Sequence, residues 1–386
     1  MNPIYLDHAA TTPVSPGALK TMISLMRENY GNPSSVYETG RQARRAVENA
    51  RRQTAAAIGA KPSEIFFTSG GTESDNWALR GVMHALRHKG KHLITTALEH
   101  HAVLNTCAEL EKEGFSVTYL CPDANGMIRA GQLAQALTED TVLVSVMTAN
   151  NEIGTIEPVA DLAETAHHAG ALFHTDAVQA VGSIPVDVGS SGVDLLSMSA
   201  HKFYGPKGIG ALYIRKGTKI EPLLAGGRQE MGLRGGTENV PAIAGMGQAL
   251  EEATEHLEMN MMKTRTLRDR LETQILAGLD NARMNGCSAC RLPGHSSLTF
   301  GGIDGEALLL RLDLAGIAAS AGSACTAGSL ESSHVLRAIG LTETEARGTL
   351  RLTVGHDNTR EEMDAAAEMV ISLVKELRRM SGQLQS

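Results

Sequence analysis

Between about residues 60 and 215 the chain alternates short apolar, β-rich runs with longer stretches of helical period. The runs fall at 64–68, 92–96, 116–120, 142–146, 171–177 and 193–198. Strands separated by amphipathic helices pair in parallel, because a helical crossover returns the chain to the same edge, so this pattern predicts a mainly parallel sheet covered by helices. A long polar-apolar helix is expected around residues 246–278. Beyond it, shorter strand runs near 297–300, 316–319 and 349–352 predict a second, smaller α+β unit closing over the first. Thr359-Arg-Glu-Glu362 has the spacing of a capping box and should open the last helix, which runs through 369–374. The expected architecture is therefore α/β, with no internal repeat and no low-complexity tract.

Bulk properties narrow the picture. A chain of 386 residues fits two domains and has ample length to bury a core. Its 35 Lys and Arg against 43 Asp and Glu give a net charge of −8, which argues against a sequence-independent nucleic-acid binder. The basic residues Arg41, Arg44, Arg45, Arg51 and Arg52 read as the wet face of an amphipathic helix whose apolar face carries Ala43, Val47, Ala50 and Ile58. No window approaches the roughly 20 apolar residues of a membrane span. The first residues also lack the basic-then-apolar order of a secretory leader, so no membrane contact and a cytoplasmic location are expected. Five cysteines, odd and sparse, argue against a disulfide framework and fit a reducing compartment. Cys287-Ser-Ala-Cys290 has neither a second pair nor a histidine partner at finger spacing, so it reads as two thiols in a loop and no metal site is expected.

The chemistry concentrates just beyond strand ends. Ser199-Ala-His-Lys-Phe-Tyr-Gly-Pro-Lys-Gly208 puts Lys202 between an apolar run and a glycine-rich turn, and Asp176 closes the neighbouring run. Open α/β sheets gather their ligands at such ends. An amine and a carboxylate at adjacent strand ends suit pyridoxal 5'-phosphate, which needs a lysine for its aldehyde carbon and a carboxylate under its pyridine nitrogen. Thr68-Ser-Gly-Gly-Thr72 follows a strand and opens a helix, so its backbone N–H groups and the Thr72 hydroxyl suit a phosphate.

Ser-Ala-His-Lys at 199–202, Asp-Ala-Val-Gln at 176–179 and Gly322-Ser-Ala-Cys-Thr326 occur in an order that resembles the cysteine desulfurases. These are the NifS/IscS-like branch of the fold-type I, class V aminotransferase superfamily. Matching segments run from Tyr5-Leu-Asp-His-Ala-Ala-Thr-Thr12 to Thr349-Leu-Arg-Leu352. The resemblance implies a large pyridoxal-phosphate-binding domain over 16–250 and a small domain built from 1–15 and 251–386. It implies phosphate contacts at Gly71, Thr72, Ser199 and His201, joined by Thr237 of Arg234-Gly-Gly-Thr237 from the other subunit of a homodimer. Asp176 would meet the ring nitrogen, while Gln179 and Asn151 would meet the phenolic oxygen. His100, in Glu99-His-His-Ala-Val103, would stack on the ring and relay protons; without the family, a His-His pair reads as a surface or capping feature. Arg351 would pair with the substrate carboxylate, with Asn32 as a second contact.

The same resemblance makes Cys325 the nucleophile that takes sulfur from L-cysteine, leaving L-alanine and an enzyme persulfide. An iron–sulfur scaffold or another sulfur-acceptor protein would receive that sulfur, so that the Cys325 persulfide could meet a cluster held on the partner. The stretch Ala321-Gly-Ser-Ala-Cys-Thr-Ala-Gly-Ser329 is poor in apolar anchors and is expected to be mobile. Leu330-Glu-Ser-Ser-His334 lacks the proline that most relatives carry there, which removes one constraint. Other readings stay open at this point. A selenocysteine lyase or a class V aminotransferase would use the same lysine with Cys325 incidental, and a non-catalytic sulfur-docking protein would lack the cofactor altogether.

Overall fold

The computed structural model describes residues 3–321, 332–380 and 382. After a short β1 (Ile4–Tyr5), the strands of the first unit are β2 (Ile65–Thr68), β3 (His92–Thr96), β4 (Ser116–Leu120), β5 (Thr141–Ser145), β6 (Leu172–Asp176), β7 (Leu195–Ser199) and β8 (Gly210–Ile214). β2 to β8 form one seven-stranded sheet in the order β2-β8-β7-β6-β5-β3-β4. The five strands β3 to β7 run parallel, and β8 is antiparallel to both β7 and β2. Consecutive residues of these strands go to opposite cores. Phe66, Leu93, Leu143 and Leu195 pack in one apolar cluster, whereas Phe67, Ile94, Val144 and Leu196 pack in the other. That is the period-2 geometry of a sheet buried on both faces, and it explains runs that are apolar throughout.

The second unit contains β9 (Ala282–Met284), β10 (His295–Phe300), β11 (Ile317–Ala318), β12 (Ser320–Ala321) and β13 (Thr349–Thr353). An antiparallel sheet of order β12-β13-β10-β9 packs Leu298, Phe300, Leu350 and Leu352 against the helices Leu257–Gly278 and Arg360–Met380. The N-terminal β1 pairs in parallel with β11, and Ile4 and Leu6 join this second core. The last helix starts as its spacing predicts: the Glu362 N–H donates to Thr359 Oγ1 at 3.2 Å, and the Thr359 N–H donates to Glu362 Oε2 at 3.1 Å.

Two expectations need correction. The stretch 246–278 is two helices, Val240–Glu255 and Leu257–Gly278, that part at His256, whose backbone leaves the helical region at φ −107° and ψ 13°. No glycine or proline marks that break, so the periodicity runs across it. The arginine face of the helix Glu38–Ala57 is also not wholly wet. Arg51 is buried, forms a bidentate pair with Glu230 at 2.8 Å for both bonds, and donates to the Ile65 carbonyl at 2.6 Å. It lies four residues past Val47, on the apolar side of the helix, and the i, i+4 spacing carried that signal.

Candidate active site

The candidate site lies at the carboxyl ends of β6 and β7. Asp176 is the last residue of β6, and Lys202 ends the single 3₁₀ turn Ala200–Lys202 that follows β7. Burial pushes the Asp176 carboxyl up, while the charges of His100 and Lys202 pull it back toward ionisation. The Val178 N–H donates to its Oδ1 at 2.9 Å. His100 is the N-cap of the helix His101–Lys112, and its Nδ1 accepts the Ala102 N–H at 3.1 Å. The capping sense expected of a His-His pair is therefore real. It also leaves the proton of the neutral ring on Nε2. Burial lowers the His100 pKa, Asp176 raises it and Lys202 lowers it, so the three side chains share one electrostatic environment.

An N-terminal strap crosses this site. Lys202 Nζ donates to the carbonyls of Ala9 at 2.6 Å and Ala10 at 2.8 Å, and Gln179 Nε2 donates to the same Ala9 carbonyl at 3.0 Å. His201 Nδ1 lies 3.2 Å from Thr11 Oγ1, and burial with the charges of Lys202 and Lys207 takes its pKa down to about 4.

Beside it, the helix Gly71–Leu86 opens with Gly71 packed so closely that an added Cβ would stand 2.7 Å from Val178 Cγ2 and 3.6 Å from Ser199 Cβ. Thr72 is exposed in that first turn. Glu73 accepts the Ser69 N–H at 2.8 Å and bonds from Arg234 Nε and Nη2 at 2.9 and 3.1 Å, which ties the Arg234–Thr237 loop to this turn. Burial pushes the Glu73 carboxyl up, but these bonds hold it below its usual range. Thr237 is exposed.

Arg351 lies at the centre of β13 and is 5% exposed. Its guanidinium donates to Asp7 Oδ1 and to the Asn151 carbonyl, both at 2.9 Å, and its Nε has no partner. Asp7 Oδ1 also accepts from Ser320 Oγ at 2.9 Å. Asn150 holds the turn that presents Asn151, since its Oδ1 accepts the N–H groups of Glu152 at 2.8 Å and Ile153 at 3.0 Å. Asn32 is not brought to this cluster: it is exposed, its Oδ1 closes its own turn on the Ser34 N–H at 2.9 Å, and among the described residues it makes no bond to Arg351. Cys325, and the mobility expected around it, lie outside the described residues. The chain on either side is described. Ser320 in β12 pairs in register with Arg351, and Ser333 donates to Glu152.

Sequence reasoning missed three acids here, one half-buried and two buried. Asp7 is separated from Arg351 by 344 positions, and no local pattern joins them. Asp75, on the helix Gly71–Leu86, is buried next to Asp176, and desolvation with the Asp176 charge raises its pKa well above the usual carboxylate range. Glu99 is raised to about 8 by burial; its Oε1 accepts the Met147 N–H and the Thr96 hydroxyl, both at 2.9 Å. Glu99 was visible only as a neighbour of His100.

An amine and a buried carboxylate at adjacent strand ends, a neutral imidazole beside them, and a helix N-terminus with no room for a side chain at Gly71 form a donor set that suits pyridoxal phosphate. The sheet and site define the fold-type I architecture of pyridoxal-phosphate enzymes. The chain belongs to the class-V aminotransferase family, described as Aminotransferase class-V, which it matches over residues 4–366. Within that family its relatives are cysteine desulfurases. Cysteine desulfurase IscS of Methanosarcina thermophila is 51% identical over 378 residues, covering 98% of this chain and 93% of the relative. A cysteine desulfurase of a Nostoc species is 47% identical over 381 residues, covering 99% and 95%. Among solved structures, a NifS-like protein superposes with a TM-score of 0.92 at 40% identity, covering 97% of this chain and all of that one. SspA in complex with cysteine gives 0.81 at 38%, covering 92% and 100%.

Proposed function

We propose that this protein is a cysteine desulfurase that takes sulfur from L-cysteine, releases L-alanine and carries the sulfur as a persulfide on Cys325. The observation that carries this reading is the position of the two described ends flanking Cys325: Ser320 faces Arg351 across two strands, and Ser333 is bonded to Glu152, the neighbour of Asn151. A carboxylate held by Arg351 thus lies next to both ends of the segment that bears the thiol. The similarity to SspA, solved with cysteine, supports the same substrate.

In this reading residues 16–250 hold the cofactor, and residues 1–15 with 251–386 carry the substrate arginine and Cys325. Lys202, Asp176, His100, Gln179 and Asn151 hold the ring of pyridoxal phosphate, and Gly71, Thr72, Ser199 and His201 hold its phosphate with Thr237 from a second copy of the chain. When bound, the cofactor supplies the electron sink that acidifies the Cα–H of the substrate and weakens its Cβ–Sγ bond. Arg351 exchanges the Asp7 carboxylate for that of cysteine and fixes the substrate's orientation. Asn32 would join this clamp only by leaving its own turn. Lys202, released from the carbonyls of Ala9 and Ala10, offers a neutral amine that takes the proton from Cα. His100 holds a proton at Nε2, within the field of Asp176. The Cys325 thiolate attacks the substrate sulfur: the Cβ–Sγ bond breaks, an S–S bond forms on Cys325, Cβ takes up a proton, and Lys202 returns a proton to Cα to complete alanine.

A homodimer fits the exposed apolar stripe Leu19, Ile23, Met26 and Tyr30, which follows helical spacing along and just past the helix Pro16–Glu28. The persulfide goes to a protein acceptor, of which an iron–sulfur scaffold is the kind the IscS-named relatives point to. Among the described residues no helix is long and apolar enough to cross a membrane. The four described cysteines are all free thiols, which suits the cytoplasm.

The test is Cys325→Ser in the holoenzyme. Cofactor absorbance and its change on adding cysteine should persist, while persulfide and alanine formation stop. Peptide masses of the unaltered enzyme after a cysteine pulse should show the extra sulfur on the Cys325 peptide. Normal alanine production by the serine variant would instead favour a lyase or an aminotransferase.

A further inference from the structure

The Cys287-Ser-Ala-Cys290 loop, between β9 and β10, takes no part in the chemistry above. Its two cysteines are tied to one another through the backbone. The Cys290 N–H donates to Cys287 Sγ at 3.2 Å. That N–H holds Cys287 Sγ in place within the loop, which makes it the sulfur positioned to attack. Burial and the neighbouring sulfur push the Cys290 thiol up. Cys290 is exposed and Cys287 is half-buried, so small reagents can reach the pair.

The loop is also held in this shape from outside. The Cys287 N–H donates to Thr155 Oγ1 at 3.0 Å, the Ile156 N–H donates to the Cys290 carbonyl at 2.9 Å, and the Leu292 N–H donates to the Gly154 carbonyl at 2.9 Å. Gly286, just before the first cysteine, has φ +80°, and a Cβ there would stand 2.9 Å from Thr155 Oγ1. A turn pinned on both sides keeps the sulfurs together at little entropic cost, the condition for intramolecular resolution to outrun a second external attack.

We propose that Cys287 and Cys290 form a redox-active dithiol, with Cys287 the attacking and Cys290 the resolving sulfur, that takes small-molecule disulfides as its oxidant. The Cys287 thiolate attacks one sulfur of R–S–S–R, forming a mixed disulfide and releasing R–S⁻, which takes up a proton. Cys290 then loses its proton and attacks Cys287 Sγ, releasing the second R–S⁻, which is also protonated. The pair has lost two electrons and two protons, and the reagent has become two thiols. This reaction does not depend on the desulfurase reading.

The experiment treats the holoenzyme with 2-hydroxyethyl disulfide and maps its peptides. The peptide containing both cysteines should lose the mass of two hydrogen atoms, and dithiothreitol should restore it. In Cys290→Ser the mixed disulfide should accumulate on Cys287 at least about tenfold faster than on Cys290 in Cys287→Ser. Retention of both thiols in the unaltered protein while the exposed Cys121 is modified would overturn the proposal. So would faster labelling of Cys290 than of Cys287.

Discussion

Arg351 rests against a carboxylate of its own chain. Asp7 fills part of the place that the proposed clamp reserves for the substrate, and the unpartnered Nε marks donor capacity still to be used. Replacing Arg351 by Leu should remove a charge-assisted pair worth about 3 kcal/mol or more, lowering kcat/KM at least about a hundredfold with cofactor absorbance kept. Steady-state kinetics on cysteine check this, and turnover within a few-fold of normal would mean that Arg351 is not the clamp. Glu99 gives a second residue-level expectation. Its folded pKa of about 8 lies above the ordinary 4.5, so its contribution to stability is complete below about pH 4.5 and is lost as pH rises through about 8. Glu99→Gln, neutral at every pH, should therefore be more stable than the parent by on the order of 2–4 kcal/mol at about pH 9 and gain little at about pH 5. Thermal melts at both pH values measure the difference. A gain independent of pH would show that Glu99 is not buried as a neutral acid.

Among elements, the short helix His334–Ala338 has importance beyond its length. Ser333 caps it, accepting the Leu336 N–H at 3.2 Å, and donates to Glu152, whose carboxyl burial raises to about 7. Ser333→Ala should cost about 1 kcal/mol in cap energy. It should also lower the rate of persulfide formation several-fold while cofactor binding is unchanged, because the described end nearest the thiol segment loses its anchor. Rapid-quench measurement of persulfide against absorbance titration separates the two effects. The strands were largely legible, since runs such as 92–96 and 116–120 match β3 and β4 and every crossover is a helix. β8 was not: an apolar run announces burial but not direction, and the antiparallel return depends on the turn after Lys202. The break at His256 was hidden for the opposite reason, because helical periodicity continues through it. Arg51 was legible in principle, from its spacing to Val47.

At the scale of the molecule, the gathering of Lys202, Asp176 and the Gly71 turn could be read because each sits beside its own strand end in sequence. The partners of Arg351 and Lys202 could not, since residues 7 to 10 reach them across most of the chain. The strap is held by β1 pairing with β11 and by Leu6, which is fully buried in the core of the second unit. Leu6→Ala should cost about 2–5 kcal/mol. Urea melts read by cofactor absorbance should lose stability by that amount, and a cost under about 1 kcal/mol would mean that the strap is not packed as described.

That strap also sets a clock for synthesis. Ile4 and Tyr5 leave the ribosome more than three hundred codons before their partners Ile317 and Ala318. At about 5–20 residues per second the nascent N-terminus waits roughly 15–60 s before it can dock. Until then the carbonyls that hold Lys202 and the acid that occupies Arg351 are not in place. A half-made chain can bury the first sheet but cannot finish its catalytic pocket, so activity switches on only after Ile317, Ala318 and Arg351 have emerged.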